Sequence, residues 1–169
     1  NFFLAFGGFI FPRVSFKMAN KRDLAPLYFV ARGLIALPGW LIIGFLVLGG
    51  DFIFRLWLGQ ETYTNSIFYI KLYLVFEAGM LLIIVPFHFI NGTRQIQLNS
   101  LFEGVIRSTH FILMLGGYYL AGVSGILYGL ILSTAINIPF QYLVFHKKII
   151  TSVNGLQYLV IIVPVLLML

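Results

Sequence analysis

Acid–base or anion-binding chemistry in this 169-residue chain has few side chains to draw on. There are five carboxylates, three histidines, eleven lysines and arginines and no cysteine. His88, His110 and His146 are far apart, with no H-x-x-x-H pair, and no G-x-S-x-G, P-loop, kinase or zinc-site spacing occurs. The carboxylates form no close pair in sequence. Hydrolase, kinase and metal-centre chemistry therefore has no constellation to rest on, and without thiols there are neither disulfides nor thiolate metal sites. No catalytic residue, cofactor site or metal site is expected.

What remains is a small set of polar groups placed deep inside long apolar runs, where ionisable residues are costly and point to function by default. Glu77 is the deepest, with no basic residue within one turn. A lone carboxylate there is expected to face the bundle interior and to hold its proton more tightly than usual. It is a candidate proton or cation site, or a contact for a transported headgroup; the plainer role is a helix–helix hydrogen bond. Glu103 and Arg107 are four apart and share a helix face, with His110 three further on. They form either a self-neutralising pair near an interface or a polar strip lining a water-filled cavity, with Arg107 binding phosphate. Arg32 lies more than one turn inside its run and either snorkels outward or meets an anion in a cavity. Asn137 and Gln141, four apart around Pro139, suit interhelical hydrogen bonds or a substrate path. His88, near a helix end, reads as interfacial. Gly125, Gly129 and Ser133, at intervals of four, give one segment a small face for close helix contact.

The elements that must position these groups follow from composition. Sixty per cent of the residues are hydrophobic, 9% are charged and the mean hydropathy is +1.00. A soluble domain carries roughly 25% charged residues, so this chain must turn much of its surface to lipid. Spanning segments in lipid are helices. The expected fold is all-α: a polytopic transmembrane bundle, one membrane domain over 1–169. Its segments are a partial helix over 1–11 closed by Pro12, complete spans near 27–49, 66–90, 97–120 and 123–145, and a second partial helix over 157–169. Both apolar ends read as truncated helices. Gly49-Gly50-Asp51 breaks the second segment, with Asp51 as the candidate cap of a short interfacial helix over Phe52–Leu58. Asn91-Gly92 and Asn154-Gly155 are turn signals.

Loop charge sets orientation. Arg13, Lys17, Lys21, Arg22, Arg94, Lys147 and Lys148 fall in alternate loops, against Arg55 alone in the others. By the positive-inside rule, loops 12–26, 91–96 and 146–156 are cytoplasmic in a cell inner membrane. Because the basic residues sit in these loops, the net charge of +6 is no nucleic-acid signature. Lys71, inside the third segment, is expected to snorkel outward.

The order of short motifs completes the reading. Phe11-Pro12-Arg13-Val14-Ser15 ends one helix, Phe54-Arg55-Leu56-Trp57-Leu58-Gly59 follows the next, Asn91-Gly92 ends a third, and Ala121-Gly122-Val123-Ser124-Gly125-Ile126 opens another. This order resembles the polysaccharide or O-antigen (Wzx-like) flippases of the multidrug/oligosaccharidyl-lipid/polysaccharide exporter superfamily, over nearly the whole chain. The resemblance implies the C-terminal half of a two-lobed, MATE-like bundle, from an eighth to a thirteenth helix, that rocks between inward-open and outward-open states. It implies an undecaprenyl-pyrophosphate-linked oligosaccharide as substrate and, for some members, a coupling cation such as H+ or Na+. It assigns no individual residue. A multidrug–cation antiporter of the same superfamily is the main alternative. A membrane enzyme or an assembly protein is a more distant one.

Overall fold

A backbone that finds no water must satisfy its own hydrogen bonds, and among the described residues every regular element is a helix. The computed structural model describes residues 2–20, 23–93 and 96–149. The helices are α1 (Phe2–Ala19), α2 (Ala25–Gly49), α3 (Asp51–Leu58), α4 (Gln60–Gly92) and α5 (Ile96–Ile149). Three of them are long and apolar enough to cross a membrane: Ala25–Gly49, Gln60–Gly92 and the stretch Gln97–Leu143 of α5. Large apolar side chains such as Leu48 and Leu120, 87% and 90% exposed, cover the outside, as a lipid-facing surface requires.

Several boundaries correct the sequence expectation. Pro12 does not close α1, which continues for seven more residues to Ala19. Proline removes one helical N–H and crowds the preceding turn, a defect that helices sheltered in a membrane bundle tolerate. The amide of Asn20 then donates to the Phe16 carbonyl at 2.9 Å, serving one of the orphan acceptors at the helix end. Asp23 prepares the next start, its Oδ1 accepting the Ala25 N–H at 2.9 Å, with Pro26 in the first turn of α2. Asp51 does not cap α3; Gly50 occupies that position and Asp51 is the first helical residue. α4 begins at Gln60 rather than near 66, because Gly59, at φ +77°, makes the break and the polar residues after it are already helical. At its other end Asn91-Gly92 closes α4, and Thr93 caps it with its N–H on the Phe89 and Ile90 carbonyls. The partial helix expected over 157–169 and the loop 146–156 lie outside the described residues or their side chains, as do Arg94 and His146.

α5 is two helices joined at a break. Ala121 and Gly122 leave helical geometry, Gly122 at φ +61°. The arms 96–120 and 123–149 fold back on each other. A Cβ on Gly125 would strike the Gly117 carbonyl, and one on Gly129 would strike the Leu113 carbonyl. The small face at Gly125 and Gly129 is thus the seam of a tight helical hairpin. α4 is the hub and contacts every other helix. Around it Tyr28, Ile35, Leu82, Phe89 and Phe102 form a continuous buried core.

Candidate functional site

Pro86 lies inside α4 and has no N–H to give the Leu82 carbonyl four residues back. That carbonyl instead accepts the Tyr142 hydroxyl, from the second arm of α5, at a long 3.4 Å. Tyr142 is in turn a platform. The Arg32 guanidinium lies 5.1 Å from its ring centroid, and the Tyr28 hydroxyl, also on α2, interacts with its own. Tyr28 packs edge-on against Phe89 of α4 at 5.2 Å. One backbone vacancy created by a proline therefore gathers α2, α4 and α5 around a polar node within the apolar core.

The node is buried and positively charged. Arg32 is 8% exposed, packed among the helices rather than extended over their surface. Among the described residues the ion pairs join Lys71 to Asp51 and Arg107 to Glu103, and neither involves Arg32. A cation over an aromatic face recovers about 2 kcal/mol when desolvated, well short of the several kcal/mol that burying the ion costs.

Two candidate residues of the same arm are buried as well. Gln141, next to Tyr142, is 0% exposed and neither its amide oxygen nor its nitrogen has a hydrogen-bond partner. Asn137, one turn earlier, is 1% exposed with an unbonded amide nitrogen. Each such group costs about 1–3 kcal/mol unless something pairs with it. Ser133 and Thr134, a turn before, satisfy themselves on the Leu130 carbonyl at 2.7 and 2.9 Å. The stripe Gly129–Ser133–Asn137–Gln141 thus passes from close packing to unpaired amides.

The other candidates lie elsewhere. Glu77 is half-buried on α4, where the Tyr73 hydroxyl one turn before it interacts with the carboxyl. Among the described residues no ion pair or hydrogen bond joins it to Arg32. Ile84 and His88 follow Glu77 at helical spacing and are also half-buried, and the His88 Nε2 is unbonded. Glu103 and Arg107 pair at 3.1 Å, and the Arg107 side chain is 75% exposed. His110 leaves that pair and is buried edge-on against Phe76 of α4 at 5.9 Å. Lys71 reaches the short helix α3 and pairs with Asp51 at 3.2 Å. That ammonium holds the Asp51 carboxyl below the usual carboxylate range, against an opposing effect of burial and with further help from Tyr63 and Arg55.

Tyr142 and Tyr28 are the members of the node that the residue-by-residue reading missed. The available signal was Pro86, which frees a carbonyl in mid-helix; which hydroxyl reaches it depends on a contact sixty residues away. Among the described residues no group of three or more metal-ligating side chains occurs. Comparison with protein-family models, curated proteins and solved structures gave no match.

Proposed function

We propose that the chain is the C-terminal half of a flippase that moves an undecaprenyl-pyrophosphate-linked oligosaccharide across the cytoplasmic membrane, for polysaccharide or O-antigen assembly, by alternating access. The observation that carries the reading is Arg32, a guanidinium in the helix core with no carboxylate paired to it among the described residues. Its buried setting favours an anion that arrives and leaves over a permanent structural partner. Arginine's fixed fork of donors suits phosphate oxygens. The unpaired amides of Gln141 and Asn137 supply further donors and acceptors for a polar cargo.

The motifs behind the resemblance support the same reading, because each does structural work. Ser15 donates to the Gly92 carbonyl at 2.9 Å, which joins the Pro12–Ser15 motif to the Asn91-Gly92 motif. Gly59 and Gly122 make the two breaks at positive φ, and Gly125 opens the hairpin seam. On this reading α2, α4 and both arms of α5 give four crossings. The basic segments 12–26, 91–96 and 146–156 then face the cytoplasm. H+ or Na+ is the coupling cation, with Glu77 its candidate site. A half-buried carboxyl in mid-helix is also what a multidrug–cation antiporter would use, and Glu77 is the observation that favours that second reading. An assembly protein or a membrane enzyme finds no such support.

Deleting the gene and extracting lipid-linked oligosaccharide tests the proposal. Accumulation of the complete, untransferred oligosaccharide on its lipid carrier is expected. An unchanged pool, together with increased sensitivity to cationic drugs, would favour the antiporter.

A further inference from the structure

A groove runs between α1 and α2, away from the polar node, lined by Ile10, Arg13, Leu27, Val30, Ala31 and Leu34. With Ile35, which also lines it, the five α2 residues fall at i, i+3, i+4, i+7 and i+8, so they form one apolar stripe about 12 Å long. Val30 and Leu34 are more than half exposed, which leaves the groove open along its outer side. Arg13 is the polar side chain of the lining. Lys17 follows it by one turn on the same face of α1.

Among the described residues neither cation is in an ion pair. Asp23, in the connection to α2, spends its Oδ1 on the Ala25 N–H, and Lys17 reaches the Asp23 main-chain carbonyl at 3.5 Å rather than its carboxylate. The groove therefore presents apolar walls and positive charge, with no hydroxyl or amide side chain along it. A sugar laid there would leave its hydroxyls unbonded. An acyl chain would bury apolar surface along the stripe while its headgroup phosphate met Arg13.

We propose that this groove is a binding site for an anionic glycerophospholipid of the surrounding leaflet, one acyl chain lying along Leu27–Leu34 and the phosphate held by Arg13. The proposal needs only that the helices stand in a bilayer, so it survives or fails independently of the transport reading. Its role would be to seat α1 against α2 at the basic end of the bundle.

Native mass spectrometry of the intact protein, released from micelles holding equal amounts of phosphatidylglycerol and phosphatidylcholine, provides the test. Retention of phosphatidylglycerol over phosphatidylcholine by about fivefold is expected, the preference one basic residue confers at a membrane surface. Arg13→Gln should bring the ratio close to one, Arg13→Lys should keep it, and Arg55→Gln, on α3 at the other end of the bundle, should leave it unchanged. Val30→Trp, which fills the groove and leaves the Arg13 charge in place, should lower retention of both lipids. A ratio near one in the unaltered protein, or an unchanged ratio in Arg13→Gln, overturns the proposal. If Arg13→Gln does not fold, undiminished retention by Val30→Trp overturns it instead. Displacement of the phosphatidylglycerol by an equal amount of undecaprenyl phosphate would also overturn it, giving the groove to the carrier lipid.

Discussion

At the scale of single residues the decisive contrast is between charges that are paired and one that is not. Glu103 and Arg107 neutralise each other at an exposed face, where such a pair is worth a few tenths of a kcal/mol. Arg32 has an aromatic ring beneath it and no counter-charge among the described residues. Arg32→Met removes the buried charge and keeps most of the packing, so stability should hold or rise, while transport of an anionic cargo should fall severely. Thermal unfolding beside a transport assay separates the two effects. Tyr142→Phe should cost about 1 kcal/mol, since it strips the Leu82 carbonyl of its added donor and ends the interaction with Tyr28. Glu77→Gln should slow transport and leave the melting temperature nearly unchanged; unchanged transport would remove Glu77 from the path. Glu77 and Arg32 were legible as candidates because an ionisable residue stands out in an apolar run. Tyr142 was not, since a tyrosine in such a run looks like ordinary membrane packing until its neighbour on α4 is known.

Helix pairs bring in a different physics, that of close approach. The second arm of α5 packs on the first through Gly125 and Gly129, where backbone meets backbone. Gly125→Ala should force the arms apart and cost about 1–3 kcal/mol, read as a lower melting temperature. Gly104→Ala, with open space around it, should instead gain a few tenths to about 1 kcal/mol from helix propensity. The contacts that hold the short helix α3 to α4 include the Asp51–Lys71 pair at 3.2 Å and Arg55 over the Tyr63 ring at 4.8 Å. Because Lys71 lowers the Asp51 pKa, this tether is complete above about pH 4 and is lost as pH falls through the lowered value. The protection of α3 amides, as exchange relative to the intrinsic rate at each pH, should fall below that point in the unaltered protein, and Asp51→Asn should show the lower protection at every pH. The helix starts were harder to read than the helices themselves. Pro12 and the polar run 60–65 both looked like loops, since the rules for chain breaks come from helices in water.

For the whole molecule, the loop charges and apolar runs made the all-helical bundle legible, and the glycine break at 121–122 was expected where it is found. The sequence could not show that α4 is the hub, or that Pro86 recruits Tyr142, because those facts belong to contacts between distant segments. With no native cysteine, single cysteines report topology cleanly. A cysteine at Asn20 should react with an impermeant thiol reagent only from the cytoplasmic side, and cysteines at Glu61 and Ala121 only from the opposite side. Labelling of Asn20 and Ala121 from one side would break the hairpin reading of α5 and the four crossings with it. The most direct measurement is complementation of the deletion strain by Arg32→Met. With the variant folded and inserted like the unaltered protein, lipid-linked oligosaccharide should still accumulate, while Arg107→Gln should clear it normally. Normal clearance by Arg32→Met would contradict a translocation path through the buried guanidinium.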